Sequence, residues 1–238
     1  VIFTMCNWPR NSATGSLVCR MESRNLMVRP ARCATAIWKI FMQIILALKV
    51  CHDRPDGKIL HRDLKPGNVF FDVGNNVKLG DFGLSRVMGD ESVFAYTHVG
   101  TPYYMSPEVC QSKPYNYTSD VWSLGCILFE LCSLQHAFSS ENLLGLVFKI
   151  VQDKQGPIPD RYSPEMQNLV TRLLVKDEKK RPQVLEILQM PFVQSHMMQF
   201  VNNRGRMSMD FHLTAPKSNQ PAAVNKLKQK ELKLKFLF

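Results

Sequence analysis

The feature that most constrains this chain is the octapeptide at residues 61–68, which reads His-Arg-Asp-Leu-Lys-Pro-Gly-Asn. A second motif, Asp-Phe-Gly, follows at residues 81–83. Two short segments, Val-Phe-Phe at 69–71 and Val-Lys-Leu at 77–79, lie between the motifs on either side of a Gly-Asn-Asn turn at 74–76. This pattern predicts a β-hairpin. The hairpin sets the distance between the end of the octapeptide and the second motif, so we expect the two to meet.

The polar side chains of the two motifs suit chemistry at a phosphate. Asp63 can accept a proton from a hydroxyl group, and Lys65 can neutralise a phosphate. Asn68 and Asp81 offer amide and carboxylate oxygens, which Mg²⁺ prefers to nitrogen or sulfur. The sequence therefore predicts a catalytic loop followed by a metal-binding turn. The alternative for Asn68 is a side chain that only caps the loop.

Three later motifs follow the first two. Ser-Pro-Glu occupies residues 106–108, Asp-Val-Trp-Ser-Leu-Gly occupies residues 120–125 at the start of an apolar helix, and Arg-Pro occupies residues 181–182. In order and spacing the set resembles the protein kinases, in which Ala-Pro-Glu stands at the place of Ser-Pro-Glu. The fold that this resemblance implies is mainly α: a kinase-like C-terminal lobe with a short β-hairpin next to the catalytic loop.

Longer stretches narrow the resemblance. They are Val-Lys-Leu-Gly at 77–80, Val-Gly-Thr-Pro-Tyr-Tyr-Met-Ser-Pro-Glu at 99–108 and Ser-Leu-Gly-Cys-Ile-Leu-Phe-Glu-Leu-Cys at 123–132. They resemble the NIMA-related serine/threonine kinases, over about residues 34–196. That family implies transfer of the γ-phosphate of ATP to Ser or Thr hydroxyls of proteins, with Mg²⁺ as the metal.

The resemblance also implies roles for single residues. Asp63 orients the substrate hydroxyl and takes its proton, while Lys65 offsets charge on the moving phosphoryl group and contacts ATP. Asn68 and Asp81 hold Mg²⁺ and bind ATP through it. Thr101, in Gly-Thr-Pro, lies beside the substrate hydroxyl and shapes the site. Lys65, two residues after Asp63, is typical of serine/threonine kinases.

A regulatory site is expected in the segment between the second motif and Pro107. In the family, a threonine at the place of Thr97 is phosphorylated and pairs with Arg62. A phosphate adds up to two negative charges and three acceptors, which an arginine can bind bidentately. The alternative for Thr97 is an exposed loop residue.

Structural roles are implied for five further residues. His61 and Phe82 belong to the two motifs themselves. Asp120 is expected to accept backbone amides of the catalytic loop, or simply to favour the start of its helix. Arg181 is expected to form a buried ion pair with Glu108, the alternative being a surface base in Lys-Lys-Arg.

The helical pattern predicts the remaining architecture. Apolar residues recur every three or four positions over Ala34–Cys51, which predicts an amphipathic helix. Further helices are predicted at Leu143–Val151, from Ser163 onward, and at Val184–Met190, the last being ended by Pro191. Thr118 is expected as the N-cap of the apolar helix that contains Asp120.

The flanks match the kinase pattern less well. Residues 1–33 are expected to be a poorly matching segment, with Val1–Cys6 as a strand remaining from the hinge between two lobes. Residues 197–238 are expected to be linker and basic tail. No Gly-x-Gly-x-x-Gly loop and no Val-Ala-x-Lys strand occurs in the sequence. We therefore expect a kinase C-terminal lobe with most of its N-terminal lobe missing and little activity alone, or else a non-catalytic interaction module.

Composition limits the class of partner. The net charge of +10 lies in the flanks, because residues 1–39 and 217–238 carry +5 each and the 177 residues between them are balanced. We therefore expect protein substrates and no nucleic acid. The alternation of Lys with Leu and Phe after residue 225 suits an acidic membrane surface or partner, or a disordered tail.

The same composition bears on the compartment. Seven scattered cysteines predict reduced thiols rather than a disulfide framework. Gln43 and Glu130 interrupt the longest apolar runs, so no membrane span is expected. The resemblance implies a cytoplasmic protein, with the centrosome, the cilium base and the nucleus as further expected places.

Overall fold

The computed structural model describes residues 3–4, 30–55, 59–81, 86–87 and 102–209. The helices in these ranges are Pro30–His52 (α1), Pro107–Cys110 (α2), Tyr117–Ser133 (α3), Leu143–Gln152 (α4), Pro164–Leu173 (α5), Val184–Leu188 (α6) and Pro191–Met209 (α7). The strands are Phe3–Thr4 (β1), Ile59–Leu60 (β2), Val69–Phe71 (β3), Val77–Leu79 (β4) and Arg86–Val87 (β5). The predictions of a mainly helical fold and of a β-hairpin next to the catalytic loop are confirmed, and the described strands form one three-stranded and one two-stranded sheet. The chain divides into two compact units, residues 1–188 and residues 189–238.

Helix α1 is the predicted amphipathic helix, although it begins at Pro30 rather than Ala34. Its apolar stripe is buried and packs against α3, α6, β2 and β4. By length and composition, Ala34–His52 would also suffice to cross a membrane. Most of that stretch is buried inside the protein, as in the core helix of a globular domain. We therefore interpret α1 as a core helix.

The predicted hairpin is present as β3 and β4, which pair antiparallel with Val69 opposite Leu79. The turn is closed by the Asp72 carboxylate, which accepts the backbone N–H groups of Gly74 and Asn76. Strand β1 pairs with the other edge of β3. The strand expected within Val1–Cys6 is thus present at Phe3–Thr4, while residues 1–2 and 5–6 lie outside the described residues.

Gln43 connects α1 to this hairpin. The residue interrupts the apolar run of α1, yet it is buried. Its Oε1 accepts the backbone N–H of Val77 at 3.0 Å, and its Nε2 donates to the carbonyl of Lys39 at 3.1 Å. A buried amide must have its hydrogen bonds made, so this position fixes β4 on the helix.

Helix α3 is buried along almost its whole length. Its N-cap is Asn116 rather than the predicted Thr118. The side-chain oxygen of Asn116 accepts the N–H of Thr118, and the hydroxyl oxygen of Ser119 accepts the N–H of Asn116. Asn is at least as good a cap as Thr, and the reciprocal Ser completes a capping box. Gly125 lets α3 approach α5 closely, because a Cβ there would lie 2.8 Å from Cβ of Leu173.

The helices after α3 follow the predicted pattern with one exception. Helix α4 occupies the predicted region, and α5 begins at the predicted cap, Ser163, with Pro164 in its first turn. Val184–Leu188 is not the last helix, because Pro191 starts α7 instead of ending the helical region. Proline has no N–H to donate, and the first position of a helix requires none. Residues 197–209, predicted as linker, belong to α7.

Candidate functional site

The two sequence motifs meet at the base of the hairpin. The octapeptide runs from the end of β2 to a 3₁₀ turn, Pro66–Asn68, that leads directly into β3. After β4, the backbone N–H of Gly80 donates to the carbonyl of Asn68 at 3.0 Å. This bond joins the last residue of the first motif to the residue before Asp81. The predicted convergence of the two motifs is therefore present in the structure.

Gly80 is required at this junction. A Cβ on Gly80 would lie 2.5 Å from Cε2 of Phe70, inside the closest approach of carbon atoms. The ring of Phe70, on β3, therefore covers the backbone just before Asp81. A side chain at position 80 would therefore fit only if the ring of Phe70 moved away.

Asp63 is held by two side chains of its own loop. Its Oδ2 accepts a bond from Lys65 Nζ at 2.7 Å and from Asn68 Nδ2 at 2.9 Å. Asn68 Nδ2 also donates to the backbone carbonyl of Asp63 at 2.7 Å. Asp63 is 27% exposed and Lys65 is 42% exposed at their side chains, so both reach solvent. The loop thus presents a hydrogen-bonded carboxylate next to a partly exposed positive charge.

Asn68 and Asp81 have the chemistry of a magnesium site. The amide nitrogen of buried Asn68 is occupied by Asp63, which leaves its oxygen as the atom for a cation. Asp81 is exposed at the end of the hairpin. No cluster of three or more His, Cys, Asp or Glu side chains suited to a metal occurs among the described residues. One carboxylate and one amide fit Mg²⁺, which usually keeps waters and substrate phosphates as its other ligands.

Two residues of the site have unusual backbone geometry. Arg62 has φ 67° and Asp81 has φ 56°. A non-glycine residue in the left-handed region costs about 1 kcal/mol, and such residues persist only where the surrounding structure holds them. Arg62 directly precedes Asp63, the expected proton acceptor. Asp81 is itself one of the two expected metal ligands.

The side chain of Asp120 binds the backbone of the octapeptide. This residue lies in the first turn of α3 and is fully buried. Its carboxylate accepts the backbone N–H of His61 at 3.0 Å and of Arg62 at 3.1 Å. The His52 ring and the Tyr115 hydroxyl complete its partners, at 2.8 Å and 2.5 Å. Burial alone would raise the pKa of Asp120, but these partners outweigh it and lower the pKa.

His61 and Arg62 differ in their surroundings. His61 is buried, and burial lowers the pKa of its ring, so the imidazole is neutral at pH 7. The ring also interacts with the backbone of Gly80, which connects the two motifs a second time. The Nε of Arg62 is buried and has no hydrogen-bond acceptor among the described residues. A guanidinium with an unused N–H can bind an anion.

A buried ion pair lies behind α2 and α3. Arg181 donates from both of its terminal nitrogens to the Glu108 carboxylate, each at 2.8 Å. Ser119 donates to the same carboxylate at 2.6 Å, and Arg181 also donates to the carbonyls of Val175 and Thr118. The ion pair that the resemblance implied is therefore present, and the alternative of a surface base is wrong.

Three candidate residues lie outside the described residues: Phe82, Thr97 and Thr101. Their assignments stay predictions.

Sequence reasoning also missed contributors to the site. His52 and Tyr115 bind Asp120, but no motif marks them. His52 lies 68 residues before Asp120 in the sequence, whereas Tyr115 lies only five residues before it. Only the buried carboxylate of Asp120, which must be paired, signals that such partners exist.

The sequence of the chain is similar to those of known protein kinases. A family model described as "Protein kinase domain" matches residues 14–193. The human (Homo sapiens) serine/threonine-protein kinase Nek2 is 44% identical over 206 residues, which are 83% of this chain and 45% of that protein. The mouse (Mus musculus) Nek1 is 45% identical over 162 residues, 68% of this chain and 13% of that protein. A probable nek2 kinase of Dictyostelium discoideum is 46% identical over 157 residues, 66% of this chain and 37% of that protein.

Two features of these matches concern extent. The chain spans less than half the length of each of these relatives. The family match begins at residue 14, within the segment 1–33 that the motif pattern fitted poorly. The similarity therefore extends further toward the N-terminus than the motifs alone indicated.

Proposed function

Because the chain belongs to the protein kinase family, with NIMA-related serine/threonine kinases as its relatives, we propose that it transfers the γ-phosphate of ATP to a Ser or Thr hydroxyl of a protein. The observation that carries this proposal is the arrangement of Asp63, whose Oδ2 is bound by Lys65 and Asn68. Phosphoryl transfer relies on positioning and charge rather than on covalent chemistry by the protein. A carboxylate fixed beside a lysine and an amide meets that requirement.

Asp63 is proposed as the group that receives the substrate hydroxyl. Its Oδ2 is occupied, while its Oδ1 has no hydrogen-bond partner among the described residues. We assign Oδ1 to the proton of the hydroxyl. The Nζ of Lys65 lies 2.7 Å from Oδ2, and the side chain is partly exposed. We propose that it neutralises the charge of a phosphate that enters beside Asp63. Thr101 is proposed to lie beside the same hydroxyl.

Asn68 and Asp81 are proposed to hold Mg²⁺ through the oxygens described above. Mg²⁺–ATP, when bound, supplies the phosphoryl group and a metal charge that offsets the charge of the phosphates. The hydrogen bond from Gly80 to Asn68 supports this assignment, since it holds the two ligand-bearing segments together. The left-handed backbone of Asp81 supports it as well, because such geometry is concentrated at functional sites.

Arg62 is proposed to receive a phosphorylated Thr97. The support is the buried Nε of Arg62, which has no acceptor in the described part of the chain. A phosphate offers three acceptor oxygens, and binding to Arg62 would tether the segment before Pro107 to the catalytic loop. Thr97 thus becomes the regulatory residue of the proposed enzyme.

Replacement of Asp63 by Asn in the complete protein tests the proposal. The substitution keeps the size of the side chain but removes the proton acceptor. We expect a loss of at least about a hundredfold in the transfer of labelled phosphate from ATP to casein or myelin basic protein, the usual contribution of a positioned base. Asp160→Asn, at an exposed aspartate, is the matched control and should behave as wild type. Transfer by Asp63→Asn at the wild-type rate would remove Asp63 from its role.

We further propose that residues 1–238 by themselves transfer phosphate slowly. The sequence contains neither a Gly-x-Gly-x-x-Gly loop nor a Val-Ala-x-Lys strand, which in kinases cover and bind the ATP phosphates. A site that lacks these groups would bind ATP from one side only. A rate equal to that of a two-lobed relative on the same substrate would contradict this part of the proposal.

The second candidate function is a kinase-like module that binds partners without catalysis. The presence of Asp63, Lys65, Asn68 and Asp81 favours the enzyme over this module. Thermal denaturation with and without Mg²⁺–ATP separates the two. A ligand that binds only the folded protein raises its apparent stability. An increase that requires Mg²⁺ supports the enzyme, and no increase at millimolar Mg²⁺–ATP supports the module.

A cellular location at the centrosome, the cilium base or the nucleus remains a proposal from family resemblance.

A further inference from the structure

Helix α4 ends without a left-handed residue that would satisfy its last backbone carbonyls. Its C-cap, Asp153, has an extended backbone with φ −83° and ψ 157°, so no left-handed residue closes the helix. The N–H of Asp153 donates to the carbonyl of Lys149 at 3.0 Å. The carbonyl of Ile150 lies in the last turn and has no partner within the helix. Some other group has to satisfy it or leave it to water.

That group is Lys176, which follows α5. Its Nζ donates to the carbonyl of Ile150 at 2.5 Å and reaches the carbonyl of Lys149 at 3.4 Å. A cation at this end of a helix also opposes the negative pole of the helix dipole. Lys176 is only partly exposed, so these bonds form in a setting where water competes weakly.

Two aromatic rings hold the other side of the same ammonium group. Nζ lies 4.1 Å from the ring centroid of Phe138 and 4.9 Å from that of Trp122. The two rings stack on each other with centroids 5.5 Å apart. Both distances fall within the range of cation–π attraction. Trp122 belongs to α3, so Lys176 connects the end of α4 to the central helix of the fold.

Charged and titratable groups from three helices face this position. They are Cys110 on α2, Cys126 on α3, Asp153 at the end of α4, and Arg181. Burial lowers the pKa of Lys176 to about 8, with a smaller contribution from the charge of Arg181. The contacts thus do not fully offset the cost of burying the charge. The bond to the carbonyl of Ile150 and the two rings beneath the ammonium nevertheless place this cation between the end of α4 and helix α3.

We infer that Lys176 is a positioning residue that fixes the C-terminal end of α4 against α3. Helix α4 packs on α2, and α2 is the short helix that begins at Pro107, directly after the segment with Thr97 and Thr101. Lys176 therefore sets the position of the α4 side of this region. Its consequence for binding of a protein substrate rests on the proposed function, whereas the fixing of α4 does not.

Hydrogen–deuterium exchange on the full 238-residue chain tests the inference without any assay of activity. Lys176→Met keeps the length and apolar stem of the side chain but removes the charge and the donors. We expect the amides at the end of α4, including that of Asp153, to exchange at least about tenfold faster, the effect of losing a charge-assisted hydrogen bond. Amides of α1 and α5 should keep their wild-type protection. Lys179→Met, at an exposed lysine three residues further on, should leave α4 unchanged.

Two further variants keep the test decisive if Lys176→Met does not fold. Lys176→Arg keeps the charge and should restore most of the protection of α4. Phe138→Leu removes one ring from beneath the ammonium and should accelerate exchange at the end of α4, though less than Lys176→Met. Wild-type protection of α4 in Phe138→Leu, or in a folded Lys176→Met, would overturn the inference. Equal loss of protection across all helices would overturn it too, since it would indicate general destabilisation.

A kinetic comparison then examines the consequence for function in the complete protein. If the proposed function is correct, Lys176→Met should raise KM for a protein substrate at least about threefold, while KM for ATP and kcat change little. Lys176→Arg should return KM toward the wild-type value. Absence of kinase activity in the wild-type protein would count against the proposed function and leave the exchange result as the test of Lys176. An exchange effect without any change in KM would overturn only the substrate part of the inference.

Discussion

The Oδ1 atom of Asp120 accepts the backbone N–H of Arg62 at 3.1 Å, and Arg62 has φ 67°. A left-handed conformation is unfavourable for an arginine by about 1 kcal/mol unless other contacts compensate. The buried carboxylate supplies that compensation, because turning Arg62 to an ordinary conformation would remove the N–H from its only strong acceptor in this part of the structure. Helix α3 therefore determines how the loop presents Asp63, the residue that follows Arg62.

The first prediction concerns Asp120→Asn. The carboxylate accepts bonds from four donors, the backbone N–H groups of His61 and Arg62, the His52 ring and the Tyr115 hydroxyl. An asparagine would turn an NH₂ group toward some of these donors and remove the charge. We expect a loss of about 2–4 kcal/mol in the free energy of unfolding, measured by urea denaturation, because buried donors lose a charged acceptor. Asp160→Asn, at an exposed aspartate, should change it little. Equal stability of the two variants would contradict the role of Asp120.

The second prediction concerns Glu108 and pH. Burial alone would raise the pKa of Glu108, but the hydrogen bonds and charge of Arg181 outweigh it and lower the pKa below 4.5. The folded state then binds fewer protons than the unfolded state, so this contribution to stability is complete above the unfolded pKa. It is lost as the pH falls through the lower folded pKa. Thermal denaturation between pH 3 and pH 7 should show this loss in the wild-type protein.

Glu108→Gln should remove that contribution at every pH. Leaving Arg181 buried without its charged partner should cost about 3 kcal/mol at pH 7, and the variant should depend less on pH below 4.5 than the wild type. Glu141→Gln, at an exposed glutamate, should retain the wild-type stability and the wild-type pH profile. A Glu108→Gln variant with an unchanged acid transition would show that the ion pair does not govern it.

The third prediction tests the close approach of α3 and α5. A Cβ at position 125 would lie 2.8 Å from Cβ of Leu173 and 2.9 Å from Cδ2 of Leu174. Gly125→Ala should therefore destabilise the protein by about 1–3 kcal/mol through overpacking. At Gly156, the nearest atom to an added Cβ is Cζ of Phe129 at 3.6 Å, an ordinary contact. Gly156→Ala is the matched control, and a Gly125→Ala variant as stable as this control would exclude a tight α3–α5 interface.

The fourth prediction tests the proposed metal role of Asn68. In Asn68→Ala the proposed metal oxygen is lost, and Asp63 loses the amide that holds its side chain and its backbone. We expect the Mg²⁺ concentration for half-maximal binding of ATP to rise at least about tenfold, followed as a shift in melting temperature. Asn168→Ala, at an exposed asparagine of α5, should leave the Mg²⁺ dependence unchanged. An unaltered requirement in Asn68→Ala would assign the residue to loop capping alone.

The local elements of the fold were predictable from the sequence. The hairpin 69–79, the apolar stripe of α1 and the start of α5 at Ser163 follow from periodicity and capping residues, which act over a few positions. The boundary errors have local causes too. Asn116 was a cap as suitable as Thr118, and Pro191 is compatible with both the end of one helix and the start of another.

The sequence by itself determined which groups are available near residues 61–81: a carboxylate, a lysine and two oxygen ligands at a spacing that a hairpin can close. Only the tertiary structure decided what holds them, namely the carboxylate of Asp120, which accepts the N–H of Arg62, and the amide of Gln43, which binds β4. The physical reason is that hydrogen bonds between distant segments leave no periodic signal along the chain. Such a bond forms wherever a buried polar group meets a partner, and packing alone brings the two together.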